Sequence, residues 1–209
     1  MSTSPAMSAK PLPTKERLIA AAIRHARSVG HQRTVMEEIA EEAGITRQAL
    51  YRHYPTKDAL FREAVKFMQA RALEDAEKAA GAAQGAEAAL FAMLHTRFDR
   101  MLALVDGSPH AAELLEDGAR LCADINDEAG KRFEKQLMGA IGKAEAAGAL
   151  TLRRGVTAAK LAQMLLCAAR GAKHDQVSRR AFRRDLKDMT DVILAGAAAP
   201  QRARRSAVS

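Results

Sequence analysis

A chain of 209 residues can bury a substantial core, either as one large domain or as a small domain joined to a larger one. Abundant Ala, the absence of Trp and an aromatic content of 4% favour helix over sheet and predict an all-α protein of about nine helices. The formal net charge of +8 creates a field that attracts polyanions, either nucleic acid or an acidic membrane surface. Two cysteines, Cys122 and Cys167, are too few for a disulfide framework and lack metal-ligand spacing, so both read as small apolar residues in a reducing compartment. No run approaches the roughly 18 apolar residues of a membrane span, and the first residues have no signal-peptide core. A cytoplasmic protein without a membrane partner is therefore expected. Residues 1–13, rich in Ser, Ala and Pro, and the basic residues 200–209 have the composition of disordered tails.

Between the tails, Thr14 precedes a segment with Leu18, Ile19, Ala22, Ile23 and Ala26 at helical spacing, ending at Gly30. Thr34-Val-Met-Glu37 has the spacing of a capping box and predicts that a second helix starts there and runs to about Ala43. Gly44 can adopt the left-handed backbone that stops this helix, and Thr46 can cap the next after one intervening residue. Pro55 closes that third helix, and Thr56 caps a long fourth one through Leu60, Phe61, Val65 and Phe67 to about Ala80. After the small-residue break Gly81–Gly85 come stripes at Leu90, Phe91, Leu94, Phe98, Met101 and Leu102. Ser108-Pro109 reads as a cap with proline in the first turn of the next helix. A further helix spans about Asp124 to Ala147, and two last ones carry Leu161, Met164, Leu165 and then Phe182, Leu186, Met189, Ile193.

Helix, glycine turn and helix within residues 34–53 form a helix-turn-helix pattern, whose second helix lies in the major groove of DNA. Thr46, Arg47 and Gln48 fall on the exposed first turn of that helix, while Ile45 and Leu50 are left to pack inward. Arg reads guanine and Gln reads adenine by paired hydrogen bonds, and Thr can touch a thymine methyl or a phosphate. Tyr51, His53 and Lys57 follow as phosphate holders flanking the groove.

The run Ile39-Ala40, Ala43-Gly44-Ile45-Thr46 and Leu50-Tyr51-Arg52-His53-Tyr54-Pro55-Thr56-Lys57-Asp58-Ala59-Leu60-Phe61 resembles the DNA-binding signature of the tetracycline-repressor (TetR) family, over roughly residues 14 to 65. The resemblance implies a helix-turn-helix head over residues 14–55 and, over 56–199, a body that binds an inducer and dimerises through its last two helices. It implies phosphate contacts from Thr34, Tyr51, His53 and Lys57, and groove contacts from Thr46, Arg47 and Gln48. Two departures stand out: Ala49 where many relatives carry a hydroxyl, and Gln48 where a small residue is common. Glu37, Glu38, Glu41 and Glu42 also crowd the second helix, compatible with nearby phosphates if Lys15, Arg17 and Arg24 balance them.

The partners expected are double-stranded operator DNA, a second copy of the chain and a small hydrophobic effector, with no cofactor. Large residues on adjacent helices, Phe67, Leu94, Phe98, Met101, Phe133 and Leu137, are candidates to line the effector cavity. Leu161, Met164, Leu165, Phe182, Leu186, Met189 and Ile193 are candidates for a two-fold four-helix interface. His110, Glu113 and Asp117 share a helix face at metal-ligand spacing, but no second ligand helix accompanies them, and a solvated or hydrogen-bonded face is the expectation. No nucleophile with a base, paired-carboxylate motif, phosphate loop or zinc signature is recognisable, so an enzyme is not expected. The alternative to a ligand-released repressor is an architectural DNA-binding protein without an effector cavity.

Overall fold

The computed structural model describes residues 14–174 and 178–199; both expected tails, 1–13 and 200–209, lie outside the described residues. Among those described are nine helices: α1 Thr14–Val29, α2 Met36–Glu42, α3 Arg47–His53, α4 Lys57–Ala82, α5 Ala86–Val105, α6 Ala111–Leu121, α7 Ala123–Ala146, α8 Ala158–His174 and α9 Arg179–Ala197. The only β geometry among them is an isolated antiparallel bridge, Leu152 to Ala198. None of these helices is long and apolar enough to cross a membrane.

Packing groups the chain into two units. The first takes the described residues up to Phe67 together with Gly107–Ala123, and the second takes Met68–Asp106 and the described residues from Asp124 onward. The expected division at residue 55 follows the start of α4. Packing instead assigns the opening turns of α4, and all of α6, to the head.

In the head unit, Leu18, Ala21 and Ala22 of α1 meet Met36, Ile39 and Ala40 of α2, Leu50 of α3 and Leu60 of α4. Gly44, at φ +68°, makes the turn between α2 and α3, and the Thr46 hydroxyl accepts from the Ala49 amide at 3.1 Å, capping α3. The capping box expected at Thr34 does not form. Helix α2 begins one residue later, with Val35 at its N-cap position and no side-chain cap, and the buried Thr34 hydroxyl donates instead to the Gly30 carbonyl at 2.7 Å. Gly30, at φ +86°, turns the chain back so that its carbonyl reaches Thr34, and this nearby acceptor wins the hydroxyl.

Helix α6 likewise starts two residues later than its sequence suggests. Ser108 Oγ, expected to cap it, donates to the Arg27 carbonyl at 2.7 Å and accepts from the His110 amide at 3.1 Å. In the body unit a single core joins Leu73 and Ala76 of α4, Leu90, Met93 and Leu94 of α5, Phe133, Leu137 and Ile141 of α7, Leu161 and Leu165 of α8, and Phe182, Leu186 and Leu194 of α9. Helices α8 and α9 pack on each other and both pack on α5.

Candidate nucleic-acid interface

Helix α3 is seven residues long, too short to be helical alone, and is held by the fully buried Leu50 with Ile45 and Tyr54 packed on the same core. That anchoring leaves Thr46, Arg47, Gln48, Tyr51 and His53 exposed. These five candidate contacts lie on one short helix and its cap. Lys57, at the start of α4, is half-buried, and its ammonium donates to the Gln32 carbonyl at 2.5 Å. Thr34 is buried, and its hydroxyl is already engaged with Gly30.

Glu37 of α2 bears directly on this surface. Its Oε1 lies 2.8 Å from Arg47 Nε and accepts from the Tyr51 hydroxyl at 3.4 Å, while the Arg47 guanidinium sits 5.4 Å from the Tyr51 ring centroid. One carboxylate thus orders the expected base reader and an expected phosphate holder together, and puts a negative charge beside both. The other acids of α2 are met by α1. Arg24 pairs with Glu42, and His25 lies 2.8 Å from Glu42 and 3.4 Å from Glu38. Of the three cations expected to balance the acids, Arg24 does so, whereas Lys15 pairs with Glu63 of α4. His25 was not legible as a partner, because a pair formed across 13 to 17 residues has no local spacing signal.

Elsewhere in the head unit, α6 is fastened to the loop after α1. Glu113 Oε1 accepts from the Gln32 amide at 3.0 Å, Arg33 donates to the His110 ring at 3.1 Å, and Arg62 donates to the Leu121 carbonyl. His110, Glu113 and Asp117 therefore diverge: Asp117 pairs with Arg120 at 2.6 Å, and only His110 and Glu113 face each other, at 3.7 Å. Among the described residues no three His, Cys, Asp or Glu side chains are grouped to hold a metal.

The six effector-cavity candidates divide between the units. Leu94, Phe133 and Leu137 belong to the body core, with Phe98 packed against it; Met101 is half-buried, and Phe67 falls in the head unit. What periodicity passed over is Arg97, buried at 8% exposure among these residues. Its position, three after Leu94 and four before Met101, puts a charge on the apolar stripe of α5, and that interruption was the available signal. Burial alone pushes its guanidinium down to about 10.

The seven interface candidates also divide. Leu161, Leu165, Phe182 and Leu186 are fully buried within their own chain, and Ile193 packs against that same core. The first four have no exposed surface in the closed unit, whereas Ile193 is half-buried. Met164 and Met189, each 41% exposed, remain available, and Val192, not singled out by the stripes, is 73% exposed.

Residues 18–64 match the sequence model for bacterial regulatory proteins of the tetR family. No curated protein matches the chain in sequence. Among solved structures, the chain is similar to a putative TetR-family transcriptional regulator from Mesorhizobium loti, at 20% identity and a TM-score of 0.68, covering 89% of this chain and 97% of that one. It is similar to the fatty acid degradation regulator FadR of Bacillus halodurans, at 18% identity and a TM-score of 0.66, covering 90% and 98%. It is also similar to SmeT, the repressor of the Stenotrophomonas maltophilia multidrug efflux pump SmeDEF, at 20% identity and a TM-score of 0.64, covering 90% and 92%. At these identities the likeness is one of fold.

Proposed function

Because this chain belongs to the tetR family of bacterial regulatory proteins, and is thereby a DNA-binding transcription regulator, we propose that it represses transcription as a homodimer on an inverted-repeat operator and is released by a small, largely apolar effector. The observation that carries the DNA half is the exposed first turn of α3, with Thr46, Arg47 and Gln48 offered as base readers above a buried Leu50. Tyr51, His53 and Lys57 are assigned to phosphates, and Thr34 to positioning the turn that precedes α2.

The dimer face proposed is the outer side of α8 and α9, with Met164, Met189 and Val192 as its apolar contacts. Coupling is proposed to run through α4, which contributes residues to both units: Lys57–Phe67 to the head and Met68–Ala82 to the body. An effector acts only to the extent that it favours the arrangement that DNA does not, and coupling of about 1–3 kcal/mol is the usual scale.

The test compares Arg47→Ala and Lys57→Ala on operator and scrambled duplexes by fluorescence anisotropy across salt concentrations. Arg47→Ala costs about 1–3 kcal/mol on the operator and little on scrambled DNA. Lys57→Ala weakens both duplexes alike and makes the salt dependence shallower. Equal losses on both duplexes for both variants refute the assignment.

A further inference from the structure

Arg97 of α5 is the most deeply buried cation described in the body unit, and among the described residues nothing around it carries the opposite charge. Its Nη2 donates to Gln69 Oε1 of α4, and Gln69 Nε2 donates in turn to Asn126 Oδ1 of α7 at 2.7 Å. Both acceptors are neutral amides. The guanidinium carbon lies 5.8 Å from the centroid of the Phe133 ring, which meets Phe98 edge-on at 6.4 Å. Arg97 Nε is buried without any hydrogen-bond partner, and no carboxylate forms an ion pair with Arg97. A second cation, Lys173 of α8, is half-buried close enough for the two charges to repel; burial first and then the Arg97 charge hold its ammonium below the usual lysine range. Among the described residues neither cation is paired with a carboxylate, and burying a charge is costly unless it is paired.

We propose that Arg97 and Lys173 bind the head of an organic anion, a monocarboxylate, whose apolar portion lies against Phe98 and Phe133. The two cations supply charge, the Gln69–Asn126 chain holds the guanidinium in place, and the aromatic rings exclude water from the pair. The proposal rests on the body unit being the effector-binding part and deepens that reading by giving the effector a charge. It also explains a feature that costs stability in the free protein, because the ligand completes the pair.

The full-length protein is titrated by calorimetry with straight-chain carboxylates from hexanoate to hexadecanoate and with aromatic monocarboxylates, each matched to the alcohol of the same skeleton. At least one carboxylate is expected to bind about tenfold or more tightly than its alcohol. Arg97→Met and Lys173→Met are each expected to abolish that preference while leaving affinity for the alcohol. Arg97→Met is also expected to raise the melting temperature of the ligand-free protein by a few degrees, since an uncompensated charge is replaced by a side chain of similar length. The proposal is overturned by a panel in which no carboxylate is preferred, by a preference that survives either substitution, or by an Arg97→Met protein that melts lower than wild type or does not fold. DNA release is read separately. A carboxylate that binds through Arg97 without loosening DNA keeps the anion site and removes its effector role, whereas release by an uncharged compound indifferent to Arg97 keeps the effector reading and removes the anion.

Discussion

Replacing Gly30 by Ala tests how α6 is joined to the head. At φ +86° the backbone is left-handed, which costs an L-residue with a Cβ about 1–2 kcal/mol. The added Cβ would also lie 2.6 Å from Glu113 Oε1 and 2.7 Å from its Cδ. A carboxylate at the end of a flexible side chain can move, so the steric part is small, but moving it releases the 3.0 Å hydrogen bond from the Gln32 amide. That bond is near the surface, and its loss is put at about 1 kcal/mol, below the range for buried charged bonds. Gly30→Ala is therefore expected to cost about 2–3 kcal/mol, read by urea unfolding of the full-length protein at one fixed concentration. Glu113→Ala alone should cost about 1 kcal/mol. The double variant should cost little more than Gly30→Ala, because the bond is lost only once. A Gly30→Ala protein within 0.5 kcal/mol of wild type, or single costs that simply add, would refute the coupling of Gly30 to Glu113.

Three further outcomes are expected. Glu37→Gln should tighten binding to operator and scrambled duplexes alike at low salt, with folding stability changed by less than about 0.5 kcal/mol because the Glu37–Arg47 pair is exposed; weaker operator binding in anisotropy assays would mean that Glu37 is needed to aim Arg47. Leu186→Asp should unfold the chain, since it buries an unpaired charge in the body core, whereas Val192→Asp should keep its circular dichroism spectrum and sediment as a monomer; a fully dimeric Val192→Asp protein would move the interface off α9. Asp99 accepts from Arg179 Nε at 2.7 Å and from Nη2 of the same guanidinium, which holds its carboxyl below the usual carboxylate range. A depressed folded value means that stability is present above the unfolded value of about 4 and is lost as pH falls through the folded one. Wild type and Arg179→Gln should therefore differ in urea midpoint at pH 7 and converge in strong acid, and a gap that widens on acidification would contradict the pairing.

The legible parts of the molecule were those in which a signal and its effect lie within a few residues. Gly44 and Thr46 make their turn and cap with partners a few residues away, and Leu50 is the one large apolar aliphatic residue of its helix and points inward. Thr34 and Ser108 carry equally good local signals, yet each hydroxyl found a backbone carbonyl brought close by the fold, Gly30 and Arg27, and the expected caps were lost to them. Periodicity marked the buried stripes of α8 and α9 but could not tell which surface covers them. The chain's own α5 does so for Phe182 and Leu186, leaving residues between the stripes as the outer face. The buried Arg97 shows the opposite bias: scanning for apolar residues at helical spacing steps over the charged residue among them.

The two helices of the helix-turn-helix, α2 and α3, have seven residues each, and α2 has no side-chain cap. Isolated segments of that length are unfolded in water, so the surface proposed for the major groove is a property of the whole head rather than of the residues on it. Genetic selections for operator-blind variants should accordingly return substitutions at Leu18, Ile39 and Leu60, none of which is exposed, alongside those at Arg47. In hydrogen exchange, the amides of α3 should open together with those of the α1 residues they rest on, as one cooperative event. Substitutions in the head's core are therefore expected to remove this surface as surely as substitutions on it.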